Sequence, residues 1–336
     1  MGRSESQAGV TEPVESVTEG RPHSLWSDAW RRLWKRRTVR VCLAAVLVYV
    51  LAAAYGEGVY RYYRWADRMP PYRQTNLDAR YRPPGFVRCW AEGGGAASWI
   101  ERARVFLQHP LGTDNLGRDV LQRLVQGARI AFHVGIVTSL IAIPIGVFLG
   151  CLAGYFGGKT DLAVVWLYST FASMPGLLFI LAIAMLAGKG LIGVYLGIGL
   201  TTWVGICRLI RGEVMKHKNR LYVQAARALG YGHVRILFRH ILPNVLHIVI
   251  VTFSLRFPAA VGTEVLISFL GIGVQTEPSW GIMINNARLR LWQGVWWELT
   301  FVTLAIFVLV LSFNLLGDAL RDAFDPRLRT GAIEQG

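Results

Sequence analysis

Residues 130–158 read IAFHVGIVTSLIAIPIGVFLGCLAGYFGG, without a single Asp, Glu, Lys or Arg. At about 1.5 Å of rise per residue, a run of this length crosses the ~30 Å hydrocarbon layer of a bilayer as one helix. Residues 162–188 follow after a short Gly-rich turn and are also uncharged. Residues 190–207 and 299–317 are shorter runs of the same kind. Composition agrees, with 53% hydrophobic residues and only 17% charged ones, where soluble domains carry ~25% charge. The net charge of +15 comes from 36 Lys and Arg against 21 Asp and Glu. A disordered chain would be poor in apolar residues, and a nucleic-acid binder would spread its basic charge over a soluble fold. The chain therefore reads as an all-α integral membrane protein, with lipid and not nucleic acid around it.

Two further spans complete the set. Residues 244 to about 273 form a hydrophobic segment that Arg256, Pro258 and Glu264 are expected to interrupt. Residues 41–55 follow the basic stretch Arg31, Arg32, Lys35, Arg36, Arg37 and Arg40, and lead into Tyr60, Tyr62, Tyr63 and Trp65, an interfacial aromatic anchor. This run lies too far from the start to be an ordinary cleaved signal peptide, and about 22 polar residues before it read as disordered. Six transmembrane helices are expected. Arg208, Arg211, Lys216, Lys218, Arg220, Arg227, Arg235 and Arg239 lie between the fourth and fifth, with Glu213 as the one acid. The segment before the first helix and the tail after the sixth are basic too, so the positive-inside rule makes both termini cytoplasmic. The Arg-containing loop 61–128 then lies outside, as long loops translocate largely regardless of charge.

The chain is thus divided into a cytoplasmic tail with an amphipathic piece (1–40), a first helix (41–60) and an extracytoplasmic loop (61–128). A five-helix core (129–318) with a cytoplasmic loop (208–243) and a cytoplasmic tail (319–336) follow.

Residues 153–160, AGYFGGKT, match a relaxed phosphate-binding loop pattern. Such a loop needs a strand before it and a helix after it, to aim backbone N–H groups at phosphates. Here it joins two membrane runs, so a Gly-rich hairpin is expected, with Lys159 at the interface and Asp161 opening the next helix. Residues 222–230, YVQAARALG, read as a short helix with Gly230 as its C-terminal cap. Ala225 and Ala226 would leave a smooth face open to close approach by another protein. An amphipathic connector lying on the membrane surface is the plainer reading of the same residues.

Gln224-Ala-Ala, Gly230 and Ile241-Leu-Pro243 resemble the "EAA" loop of the permease subunits of bacterial ABC importers. His109-Pro-Leu-Gly-Thr-Asp-Asn-Leu-Gly-Arg-Asp119 and Tyr155-Phe-Gly-Gly-Lys-Thr-Asp161 resemble the oligopeptide/dipeptide (and nickel) subgroup. So do Ser268-Phe-Leu-Gly-Ile-Gly-Val-Gln275, Pro278-Ser-Trp-Gly281 and Gly317-Asp-Ala-Leu-Arg-Asp-Ala-Phe-Asp-Pro326. Ser24-Leu-Trp-Ser-Asp-Ala-Trp-Arg-Arg32 is similar to the N-terminal piece of the C-type peptide permeases. The Glu of the "EAA" signature is Gln224 here, so a carboxylate contact at that position does not carry over. Residues 56–108 match no motif of the family.

The resemblance implies a type I ABC importer permease core in a bacterial plasma (inner) membrane. It implies a heterodimer with a B-type permease, two cytoplasmic ATPases that hold ATP and Mg, and an extracytoplasmic solute-binding protein or lipoprotein. Tyr222, Gln224, Ala225, Ala226, Arg227, Leu229 and Gly230 would then form the coupling helix seated on one ATPase. The chain itself would bind no cofactor or metal and carry no catalytic residue. Arg256, Pro258 and Glu264 are expected to line the translocation pathway or to pair with the partner subunit, because charges inside a span usually face a cavity.

Peptide import is the leading function. A nickel or other small-solute importer is the alternative within the family. A membrane-embedded enzyme binding nucleotide through Lys159 and Thr160, and a scaffold or channel without ATPases, are the alternatives outside it. His133 and His247 are expected to make polar interhelical contacts. Trp292, Trp296 and Trp297 read as an interfacial belt. Cys42, Cys89, Cys151 and Cys207 form no CxxC pair, so neither a zinc site nor a disulfide framework is expected.

Overall fold

The computed structural model describes residues 33–34, 36–92, 103 and 106–324. The polar start, the amphipathic piece at 24–32 and the end of the 319–336 tail lie outside the described residues. Among those described there is no strand, only an isolated bridge between Thr113 and Asp119.

Five helical segments are long and apolar enough to cross a membrane: Arg37–Trp65, Val120–Phe156, Leu191–Lys218, His233–Phe269 and Trp297–Phe324. They comprise α1 (Arg37–Trp65), α3 (Val120–Phe156), α6 with α7 (Leu191–Thr201, Trp203–Lys218), α9 (Leu242–Phe269) and α11 (Trp297–Phe324). A short turn, His233–Arg235, and a π-helical turn, Ile236–Ile241, lead into α9. The other helices are α2 (Gly85–Glu92), α4 (Gly158–Ser173), α5 (Gly176–Leu186), α8 (Leu221–Ala228) and α10 (Trp280–Arg288).

The expected single third span at 162–188 is the first correction. It is two helices, α4 and α5, bent by 90° to one another, and the count reaches six only if the pair is taken as one span. The bend falls at Met174-Pro175. Proline drives the preceding residue out of the helical region, and Met174 is extended at φ −85°, ψ 140°. The expected interruption of 244–273 is the second correction: α9 runs unbroken through Arg256, Pro258 and Glu264. A proline removes one ladder bond, and close packing of the flanking Phe257 and Val261 in the core holds the turn in place. Boundaries also move. The second span opens inside the expected 61–128 loop, where Asp119 caps it by accepting from the Gln122 N–H at 3.1 Å.

Three glycines of α3 set the tightest helix pair. Gly146, Gly150 and Gly154 recur every fourth residue and face α7; an added Cβ would lie 2.6 Å from Ile206 Cβ, 2.8 Å from Cys207 O and 2.7 Å from Arg211 O respectively. Small residues at this spacing let two membrane helices approach backbone to backbone. Exchanging Gly150 for Leu is expected to cost at least about 1–3 kcal/mol by overpacking, seen as a lower melting temperature in detergent. Gly212→Ala, where an added methyl meets nothing within 4 Å, is expected to leave that temperature unchanged or raise it.

Among the described residues four buried clusters fill the bundle, and two of them matter here. Towards the loop at 219–232, here called the basic end, Tyr155, Ile206, Ile210, Val214, Val223 and Ile236 pack together. In the other half, Phe132, Phe257 and Phe313 form an aromatic stack, with centroids 5.1 Å and 4.2 Å apart in that order, beside Trp280. Outside these cores, Leu140, Phe148, Trp166, Leu186 and Phe307 are exposed, as suits side chains facing lipid or another subunit.

Candidate functional site

At the basic end, α8 is a two-turn helix lying on the bundle. Val223 and Ala226, three residues apart, are buried in the core of that end. Its C-terminus closes with a Schellman cap: Gly230 N–H donates to Arg227 O at 2.9 Å and Tyr231 N–H to Ala226 O at 3.1 Å. Gly230 stands at φ +77°, the left-handed conformation the cap requires. Tyr222 O–H meets His217 Nδ1 at 2.7 Å, and burial raises the Tyr222 pKa. Gln224 Nε2 turns back to donate to Asn219 O at 3.1 Å. The Arg227 guanidinium sits over the Tyr155 ring at 5.6 Å.

The sequence-based expectation of an open Ala225–Ala226 face is half right. Ala225 is exposed but Ala226 points inward, because 3.6 residues per turn place it beneath α8 together with Val223. The outward apolar groups are instead Leu221 and Leu229, 83% and 73% exposed at the two ends of the helix. Asp161 receives both Nε (2.5 Å) and Nη2 (2.6 Å) of Arg211, tying α4 to α7. Residues 153–160 are helix, a single Gly157 at φ +68°, and helix again. With no strand before them, Lys159 and Thr160 lack the backbone cradle of a phosphate-binding loop.

Of the residues expected in the pathway, Pro258 is buried, and Arg256 and Glu264 do not meet. Arg256 Nη1 donates to Thr202 O at 2.6 Å, at the junction where α6 ends, a favourable place for a cation. Glu264 is 1% exposed, enclosed within this chain. Ser268 Oγ donates to its Oε1 at 2.7 Å and accepts from Val274 N–H at 3.1 Å. The carboxyl thereby anchors the turn after α9. The reason is local: Ser268 is one helical turn on, and the chain folds back over both.

The far end holds a cluster that sequence reasoning missed. The Thr113–Arg118 loop folds around Asp114, whose carboxylate accepts from the N–H groups of Leu116 (2.8 Å) and Arg118 (2.9 Å), from Arg118 Nε (2.7 Å) and from Arg123 Nη1. Arg123 also reaches Glu298 at 3.4 Å, and Arg290 joins Glu298 at 3.0 Å. Burial works to raise the Asp114 pKa, but Arg123, Arg118 and the two backbone donors hold it below the ordinary Asp value.

Residues 71–92, unassigned in sequence, cap this cluster. Thr113 Oγ1 donates to Ala79 O at 2.5 Å and accepts from Arg82 N–H at 2.9 Å. Gly117, at φ +69°, passes so close to Asn76 O that a Cβ would sit 1.8 Å away. The expected Trp belt divides here: Trp292 is exposed, but Trp297 is buried, donating from Nε1 to Thr113 O at 3.0 Å. His133 does make an interhelical contact, to Glu57 of α1 at 3.2 Å, beside the Arg129–Glu277 pair.

A bundle of apolar spans with a firmly seated, outward-facing helix at its basic end defines a multi-pass membrane protein. The chain belongs to the family described as binding-protein-dependent transport system inner membrane component, which residues 146–330 match. Residues 24–84 match the N-terminal transmembrane domain of oligopeptide transport permease C. It is 40% identical over 307 residues to the dipeptide transport system permease protein DppC of Bacillus subtilis, covering 91% of this chain and 87% of that one. It is 33% identical to the oligopeptide transport system permease protein OppC of the same organism, over 91% of each chain. The inward-facing MetNI methionine ABC transporter shares the fold, with a TM-score of 0.50 and 18% identity over 61% of this chain and 97% of that one. The protein is an ABC importer permease of the bacterial plasma membrane.

Proposed function

We propose that this chain is the C-type permease subunit of a peptide importer, forming half of the translocation pathway. The observation that carries this is the 40% identity to a dipeptide permease over nearly the whole chain. The positive-inside rule supports a cytoplasmic basic end. There α8 seats in a groove of one of two ATPases, while a B-type permease forms the other half of the pathway. A solute-binding protein or lipoprotein delivers peptide at the Asp114 end. ATP and Mg reside on the ATPases, and this chain performs no chemistry.

The arrangement suits transmission of force. Closure of an ATPase pair is a rigid-body motion, and α8 is fixed to the bundle by Val223, Ala226 and its cap, so a push on α8 moves α7 and α9 with it. The test is uptake of labelled di- and oligopeptides into proteoliposomes holding all four subunits with the binding protein. Uptake requires ATP and every component. Nickel uptake without peptide uptake overturns the peptide reading. ATP hydrolysis appears only on adding the ATPases, and Lys159→Ala leaves it unchanged; hydrolysis by this chain alone, lost in that variant, points to an enzyme.

Glu264 anchors the turn after α9 and Arg256 the α6–α7 junction, close to the pathway. Glu264→Gln keeps one hydrogen bond to Ser268 and is expected to alter uptake less than threefold. Glu264→Leu leaves Ser268 with an unanswered hydroxyl and is expected to cost about 1–3 kcal/mol, read as a lower melting temperature. Arg256→Gln is expected to slow uptake, since it frees the Thr202 carbonyl; wild-type rates in Arg256→Gln and in Glu264→Leu sink this assignment.

A further inference from the structure

Two cavities at the basic end are lined from one stretch of chain. One, of about 190 Å³, lies between the inner part of α3 and the π-helical turn, lined by Pro144, Val147, Cys151, Leu152, Leu237 and Phe238 among others. Apart from one thiol its walls are hydrocarbon. Pro144 and Leu152 are eight residues apart, so the slot runs ~12 Å along the span, ending one turn short of the end of α3 at Phe156. The second cavity, of about 350 Å³, is lined by Tyr231, Arg235, Arg239 and His240. The same short stretch supplies both: Leu237 and Phe238 stand between Arg235 and Arg239 in the chain.

The basic cavity is built. The Tyr231 ring stacks on His240 at 5.7 Å with 16° between planes, and the Arg235 guanidinium lies 5.4 Å from the Tyr231 ring. Arg235 and Arg239 are exposed. The only acid within residues 208–243, Glu213, is paired with Lys216 at 2.7 Å. Two cations at the bilayer rim, beside an apolar slot of membrane depth, complement an anion that carries a hydrocarbon tail. A protein segment fits less well, because the slot offers no polar partner and a peptide backbone inside it would be left unsatisfied.

We propose that this is a binding site for one anionic phospholipid of the leaflet at the basic end. Its acyl chain fills the slot and its phosphate rests on Arg235 and Arg239. The lipid braces the turn between α8 and α9, the element through which α8 is joined to the fifth span. The proposal rests on the membrane placement of the spans and not on the peptide reading.

The experiment titrates the full chain in detergent with dioleoylphosphatidylglycerol or dioleoylphosphatidylcholine and counts bound lipid by native mass spectrometry, with helicity as the folding control. One phosphatidylglycerol per chain is expected to bind in preference to phosphatidylcholine. A juxtamembrane arginine contributes about fivefold to anionic-lipid binding, so R235Q/R239Q is expected to weaken phosphatidylglycerol about 25-fold and leave phosphatidylcholine unchanged. Val147→Phe, or Leu152→Phe should that variant misfold, fills the slot and weakens both lipids at least tenfold. Wild-type phosphatidylglycerol binding in R235Q/R239Q or in a correctly folded slot variant overturns the proposal. So does loss of ATPase co-purification in R235Q/R239Q with lipid binding unaltered, which assigns the arginines to the ATPase.

Discussion

Replacing Leu229 by Asp is expected to abolish ATP-coupled uptake while the bundle stays folded. Leu229 is 73% exposed at the end of α8, so the substitution removes no core contact and its folding cost lies within the usual surface range of about 0.5 kcal/mol. On the proposed reading the same position meets the ATPase. An apolar anchor in a desolvated interface contributes about 2–4 kcal/mol, and a carboxylate placed there weakens the complex roughly 30- to 1000-fold. Co-purification with the ATPases and peptide uptake should fall together, with helicity and melting temperature unchanged. Leu221→Asp should behave alike. If Leu229→Asp transports at the wild-type rate, α8 is not the contact. Ala226→Asp is the contrasting control: it buries a charge beneath α8 and is expected to lower the melting temperature itself.

The second large effect lies at the opposite end. Asp114→Ala is expected to cost about 3–5 kcal/mol, because it removes a main counter-charge from Arg123, whose side chain is 3% exposed. The double exchange Asp114→Leu with Arg123→Met leaves no unpaired charge at that pair and should be milder than the single one. The pH dependence has a definite sign. The Asp114 pKa is held below its ordinary value of 3.8, so its stabilisation is complete above that value and is lost as pH falls through the still lower folded value. Hydrogen exchange across 71–90 and 109–119 should be equally protected at pH 7 and pH 5, and rise only in stronger acid. A loss of protection between pH 7 and pH 5 contradicts this assignment. Asp114→Ala should raise exchange there at neutral pH.

Much of the architecture was legible because a bilayer imposes a simple rule: uncharged runs of sufficient length become helices. Residues 130–158 and 299–317 lie almost wholly inside α3 and α11. The cap at Gly230 was equally local, since a left-handed residue after an Ala-rich helix favours glycine. The stripe Gly146, Gly150 and Gly154 carries a local signal as well, a glycine at every fourth residue within an apolar run. The 90° bend at Met174-Pro175 had a signal too, the proline itself, but Pro258 carries the same signal in a helix that does not break. Packing around each proline decides between them.

The Asp114 cluster had no comparable signal. Asp114, Arg123, Arg290 and Glu298 are separated by up to 184 positions, and only the fold brings them together. The arginines of loop 61–128, unexplained in sequence, divide on the same ground: Arg118 and Arg123 neutralise buried carboxylates, while Arg73 donates to Thr276 O at 2.7 Å.

Residue order alone determined that the chain enters a membrane, where most of its spans lie, which end is basic and which family it resembles. These follow from length, charge and short-range spacing, which need no partner in space. Tertiary structure decided which of Ala225 and Ala226 faces outward, that Arg256 binds the α6–α7 junction and Glu264 the turn after α9, and that a buried ion-pair network closes the far end. Those outcomes depend on what a side chain meets across the bundle, and distance along the chain carries no record of that.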